Sequence, residues 1–227
     1  METNLLNLSG KSTSTVLYVN RSGVQFYDPK TKQLLAEKLP PNILKDLEIV
    51  DKNALALFFR SLVMRHKMNA SSVIVILSPN IYYEKTLKSS GEEQESEVRL
   101  FLDTVPFDTL RSKIYIQGTT SRIVAINKNL CESILWALEQ VGIHIIAVIP
   151  AVLVPPLAAK PTPDGESTQY ILKNVANLKV HTITQTSEIG EPAEEPKLSP
   201  PRNIRVYVLG GIFTVCILIL GFLLVSM

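Results

Sequence analysis

The feature that most constrains this chain is its last stretch. From Val206 to Met227 it reads VYVLGGIFTVCILILGFLLVSM, 22 residues without a charge. At 1.5 Å rise per residue such a helix reaches about 33 Å, against a hydrocarbon core of about 30 Å. A helix buried in a soluble core of this length usually keeps one polar face. Here only Thr214, Cys216 and Ser226 are mildly polar. The expectation is a single C-terminal transmembrane helix, with residues 206–227 in the lipid bilayer.

The flanks set its direction. Lys197, Arg202 and Arg205 precede the run and no Lys or Arg follows it, so the positive-inside rule keeps the N-terminal part in the cytoplasm. Arg202, Arg205, Tyr207, Gly210, Gly211, Phe213 and Phe222 are the expected membrane-anchor residues. Gly210 and Gly211 permit close helix approach but do not form a GxxxG motif. The N-terminus lacks the charged-then-apolar pattern of a secretory signal. The far side is expected to receive only a chain end.

Other classes are excluded by composition. A net charge of +2 and the lack of basic runs with interleaved aromatics argue against a nucleic-acid binder. Cys131 and Cys216 are the two cysteines. One falls in the globular part and one in the apolar run, so no internal disulfide is expected. The sequons at Asn7, Asn20 and Asn69 go unused in a cytoplasmic chain.

The stretch 186–205 contains four prolines and four glutamates and no apolar period. It reads as an extended, self-repelling linker. Residues 1–13 read as a flexible arm. Between them, 14–88 opens as a β-meander: TSTVLYV, a turn at NRSG, VQFYD, a turn at PKTK, then QLLAEKLP. Asp51 caps a helix whose apolar face carries Leu55, Phe58, Phe59 and Leu62. SSVIVILS, 71–78, is a continuous apolar run of the fully buried strand type.

A second block, 89–155, begins with Ser90 and Glu93 as a capping box. Its helix is stopped by Pro106. KIYIQ and RIVAIN form a hairpin across GTTS. A helix follows with Ile134, Leu135, Leu138 and Val141 on one face, then Gly142 as its stop and IHIIAVI as another buried strand. The block reads as helix, strand, strand, helix, strand. Residues 156–185 are a short remaining segment.

These residues resemble a known family. EVRLFLDTVPFDTLRSKIYI, followed by RIVAINKNLCESILWALEQVGIHIIAVIPAVLV, is similar to the inserted subdomain of actin-like pilus-assembly proteins. The family is PilM of type IV pilus machinery and its relative, the cytoplasmic L component of type II secretion. The matching steps are Val105-Pro106-Phe107, the strand RIVAIN, the helix end LEQVGI and the strand end AVIP, over about 15–155. The resemblance implies an α/β fold with an α+β insert: half of an actin-like, ribonuclease H-like fold, then the membrane helix.

The departures are equally informative. The turn equivalent to the family's first phosphate loop is YVNRSGVQFY, with Asn20 where an Asp is expected. Asn20 and Gly23 mark a vestigial nucleotide turn. The roughly thirty residues after Val154 cannot build a second lobe able to bury a nucleotide, and PDG at 163–165 reads as a turn. No cofactor is therefore expected.

Other chemistry is thin. GKST at 10–13 ends like a P-loop, but Leu5 stands where its first Gly belongs and a strand follows. Cys131 and His144 read as packing residues, not a nucleophile and base. No metal spacing is present. Glu92, Glu93, Glu95 and Glu97 suit a helix N-terminus. Tyr82 and Tyr83 are candidate partner-binding residues on a strand edge, with inward packing of one of them the plainer alternative. NLLNL at 4–8 is an apolar cluster outside the fold.

The sequence thus points to a non-enzymatic scaffold at the bacterial inner membrane, docking components of a pilus or secretion assembly platform. The alternatives are a tail-anchored actin-like module outside pilus systems, as in cell division, or a nucleotide binder completed by dimerisation. Its oligomeric state is open. Ending the chain at Asn203 is expected to move the protein from the alkali-resistant membrane pellet to the soluble fraction. Retention of the shortened chain in the pellet would contradict the anchor.

Overall fold

The computed structural model describes residues 14–28, 31–68, 71–88, 91–118 and 120–184. The chain divides into two units, Met1–Gln185 and Thr186–Met227, and all described residues belong to the first. The arm 1–13, with GKST and NLLNL, lies outside them. So do Ser90, the linker 186–205 and the run 206–227 with Arg202, Arg205, Tyr207, Gly210, Gly211, Phe213 and Phe222. Among the described residues no helix is long and apolar enough to cross a membrane.

The centre is a five-stranded sheet. Strands β1 (Ser14–Asn20), β2 (Gly23–Asp28) and β3 (Gln33–Lys38) form the expected antiparallel meander. β6 (Ser72–Leu77) lies parallel to β1 on its other side, and β10 (His144–Pro150) lies parallel to β6. The order is β10-β6-β1-β2-β3. All six residues of SVIVIL in β6 are buried, as the continuous apolar run requires of a strand with neighbours on both edges and layers on both faces.

Two helices cross between the parallel strands. α1 (Lys52–Arg65) links β3 to β6, and α3 (Lys128–Gln140) leads into β10. Both connections step the same way along the sheet, so right-handed crossover places both helices on one face; they pack against each other. Asp51 caps α1 by accepting from the Ala54 amide at 2.9 Å. Asn127 caps α3 through the Leu130 amide at 3.0 Å. Leu55, Phe59 and Leu62 are buried beneath α1, with Phe59 edge-on to Phe26 at 6.3 Å. A short hairpin of β4 (Leu44–Lys45) and β5 (Glu48–Ile49) precedes α1. It is too brief to leave a period in the sequence.

A second sheet has the order β7-β9-β8, from β7 (Tyr82–Leu87), β8 (Leu110–Gln117) and β9 (Thr120–Asn127). The helix α2 (Glu92–Leu102) covers one face over a small core of Leu87, Phe101, Val105, Ile123 and Ala125. Its N-cap is Gly91, with no side-chain cap bond. Ser90 of the expected capping box lies outside the described residues, and Glu92, Glu93 and Glu95 occupy the first turn as read.

Sheet membership cuts across the expected boundaries. β7 falls before 89 yet pairs along its length with β9. β10 falls before 156 yet completes the central sheet. The inserted unit therefore begins after β6 and ends where α3 starts. Nor is 156–184 a loose remainder. Helices α4 (Pro155–Ala159), α5 (Gly165–Lys173) and α6 (Val175–Lys179) return to β1 and β10, and Leu157, Ile171, Leu178 and Ile183 join the main core. The Ile183 amide donates to the Val148 carbonyl at 2.8 Å, and the Val148 amide to Thr182 Oγ1 at 3.0 Å. Lys113 Nζ on β8 donates to the Thr182 carbonyl at 2.8 Å, and burial pulls its pKa down.

Two helices stop in the same way with different residues. After α3 the Gly142 amide bonds the Glu139 carbonyl at 2.9 Å and the Ile143 amide bonds Leu138 at 3.1 Å, with Gly142 at φ +79°. After α1 the Lys67 amide bonds Met64 at 3.3 Å and Met68 bonds Val63 at 3.0 Å, with Lys67 at φ +47°. Both are Schellman closures, and only glycine takes the left-handed position without strain. Gly142→Ala should lower stability by about 1 kcal/mol and Lys67→Gly should raise it by about 0.5 kcal/mol or more. Denaturant midpoints of the two variants check the opposite signs.

Candidate functional site

In an open sheet with parallel strands, ligands bind outside the carboxyl ends of those strands. Here that end gathers Asn20 at the close of β1, Ser78 to Asn80 after β6, and Ala151 to Leu153 after β10. Each segment is there because its strand cannot continue. Asn-Arg-Ser-Gly turns the chain after β1, Ser78-Pro79 starts a helical turn after β6, and Pro150 closes β10.

The polar groups at this end bond to one another. Asn20 Oδ1 accepts from both the Ser22 amide and the Ser22 hydroxyl at 2.9 Å. The Arg21 amide donates to Asn80 Oδ1 at 3.2 Å, and Ser78 Oγ donates to the same oxygen at 2.7 Å. The Ser78 amide donates to the Val19 carbonyl at 2.9 Å. Tyr18 OH donates to the Pro161 carbonyl at 2.6 Å, and burial raises its pKa. Asn20 thus holds its own turn in an Asx arrangement. Gly23 is dictated by packing: a Cβ there would stand 2.2 Å from the Glu37 carbonyl oxygen on β3.

Tyr82 and Tyr83 divide as alternation along a strand requires. Tyr82 is buried, and its hydroxyl accepts from the Val152 amide at 3.2 Å. Burial pushes its pKa up, assisted by Glu84. Of the pair, only Tyr83 reaches solvent, at 42 % exposure, edge-on to Phe107 at 5.4 Å. This is the plainer of the two readings of the pair, one tyrosine packed inward and one on the outer strand β7 of its sheet, so of the two candidates only Tyr83 is available to a partner.

Beside the Tyr18–Pro161 contact is an open depression of about 170 Å³ lined by Pro156, Lys160, Thr162, Asp164, Glu166 and Ser167. Ligand pockets start at about 300 Å³. Asp164 does not sit in a free turn, as PDG suggests, but caps α5. Its Oδ1 accepts the Ser167 amide at 2.8 Å, while Ser167 Oγ accepts the Asp164 amide at 2.9 Å. The Ser167 amide, then the Ser167 hydroxyl, then Lys160 hold the Asp164 carboxyl down to about 2. Sequence reading missed this box because Ser stands where Glu or Gln is the usual partner. It also missed Ser78 and Asn80, although Ser before Pro at the end of a buried strand is a helix-start signal.

Cys131 is buried in α3, and burial pushes its thiol up to about 12. His144 is exposed at the opening of β10. Among the described residues, no three His, Cys, Asp or Glu side chains gather in a group able to hold a metal.

No protein-family model and no curated protein matches this chain. Solved structures similar to it include a PilM-PilN type IV pilus biogenesis complex, at 18 % identity and TM-score 0.45 over 65 % of this chain and 52 % of that one. Another is the cytoplasmic domain of EpsL, an inner-membrane component of the type II secretion system of Vibrio cholerae, at 14 % identity and TM-score 0.40, covering 62 % and 58 %. A third is a Bacteroides thetaiotaomicron protein of actin-like ATPase fold and unknown function, at 13 % identity and TM-score 0.38, covering 66 % and 57 %. The chain spans about half the length of the first of these structures.

The Asp164 cap carries a pH signature. Its folded pKa lies below the ordinary carboxylate value, so its contribution is complete above about 4 and is lost as pH falls towards 2. Its side chain is exposed, so water screens the Lys160 pair and the capping bond dominates. Asp164→Ala should cost about 1 kcal/mol at neutral pH. In stability measured between pH 5 and 2, the variant's curve should fall less steeply than the parent's. Gly23→Ala should destabilise at every pH, because backbone must shift to admit the methyl.

Proposed function

We propose that this chain is a membrane-anchored, non-enzymatic scaffold that docks components of a type IV pilus or type II secretion assembly platform from the cytoplasmic side. The observation that carries the non-enzymatic part is the state of the sheet's carboxyl end. Asn20 Oδ1 is taken up by Ser22, Asn80 Oδ1 by Ser78 and the Arg21 amide, and the Tyr18 hydroxyl by Pro161. A catalyst needs polar groups at that end aimed outward at a reacting atom.

The pilus or secretion assignment rests on the ordered resemblance of residues 15–155. The anchor rests on the uncharged run 206–227 and the basic residues before it. A tether of this kind raises the effective concentration of a docking module to about millimolar beside membrane partners. Tyr83 with Phe107 supplies an exposed aromatic contact on a sheet edge, a residue class favoured at interfaces.

The test is cross-linked affinity capture from native membranes, with the full chain and with a chain ending at Asn203. Enrichment of pilus or secretion platform proteins by the anchored form alone supports the scaffold and its tether. Recovery of such proteins by neither form contradicts the assignment. Tyr83→Ala should lower the recovery several-fold if β7 is the docking edge, with the melting temperature unchanged.

A further inference from the structure

The outer face of α1 is unusual for a soluble helix. Leu55, Phe59 and Leu62 face the core. Asn53, Leu57, Arg60 and Met64, spaced i, i+4, i+7 and i+11, form the opposite stripe. All four are exposed, with Leu57 at 61 % and Met64 at 71 %. Val50, just before the cap, is 63 % exposed. The helix KNALALFFRSLVMR carries Lys52, Arg60 and Arg65 and no carboxylate. Lys67 follows in the closing turn. Glu37 holds Arg65 at 2.9 Å. Among the described residues Lys52, Arg60 and Lys67 are in no ion pair.

We propose that this face of α1 lies on an anionic lipid surface, as a second, peripheral contact of the domain with the bilayer. The match is chemical. Large apolar side chains enter the boundary between headgroups and acyl chains, and basic residues beside them attract anionic headgroups. An acidic protein partner would suit the cations, but it gives less reason for Leu57 and Met64 to stand out between them. The idea rests on the anchored reading, because a tether keeps the domain within reach of the membrane. Its consequence is orientation: with α1 against the lipid, the domain presents fixed edges to partners.

The test uses the full chain with Cys216→Ala and Ser61→Cys. Ser61 is exposed on α1, and the remaining Cys131 is buried, so a nitroxide label goes to position 61. The protein is mixed with excess nanodiscs of phosphatidylcholine, with or without phosphatidylglycerol. Collisions of the label with an aqueous nickel chelate are then measured. The expected result is a several-fold drop in collision rate in the anionic discs only. Adding Leu57→Asp with Met64→Asp, or Arg60→Glu alone, should restore the rate. These positions are exposed, so the fold should survive, and the melting temperature checks that. Equal rates in the two lipids overturn the α1 surface, including the case in which its partner is an acidic protein. The anchor is read separately, by whether the chain elutes with neutral discs.

Discussion

Everything described depends on one strand having no free side. Ser72–Leu77 pairs in parallel with β1 on one edge and β10 on the other, and all six of its residues are buried. Burying side chains of this kind contributes about 1.5–3 kcal/mol each. The strand can therefore exist only when two crossovers have brought β1 and β10 beside it. Those crossovers deliver α1 and α3 to one face. The return of 156–184 to β1 and β10 completes the covering. The inserted sheet leaves and rejoins around this strand, starting at Ser78.

That dependence explains what was legible in the sequence. β6, the Asp51 cap, the Gly142 stop and the β8–β9 hairpin are local features, and each stands where the residues placed it. The misplaced boundaries concern partners far along the chain. YYEKTL has the composition of a strand, but nothing in it says that it pairs with TSRIVAIN some forty residues later. Prolines in PPLAAKPTPDG suggest a leftover segment, yet its apolar residues, from Leu157 to Ile183, are needed by a sheet built from residues 14–20 and 144–150. Burial among distant partners leaves no period in the sequence that supplies it.

The candidate site shows the same division. Asn20 closes β1 and Gly23 opens β2, on either side of the turn at the carboxyl end of the sheet. The physical reasons for them differ from those a phosphate loop would require. Asn20 closes its own turn, and Gly23 makes room for the Glu37 carbonyl. A residue type at an expected place is compatible with more than one cause, and the hydrogen-bond partners separate them. Tyr82 makes the point again: the sequence said that one tyrosine of the pair packs inward but not which, and the bond to Val152 identifies it.

The proposal of a docking domain turns on whether the polar groups at the carboxyl end of the sheet, bonded to their own neighbours, leave nothing for a nucleotide. Amide hydrogen exchange with and without Mg-ATP tests it most directly. The account predicts slowest exchange at Ile74, Val75 and Ile76, and rates at 20–23 and 78–80 that nucleotide leaves unchanged. New protection of those turns by Mg-ATP would contradict it, and would make the nucleotide-binding alternative the better reading.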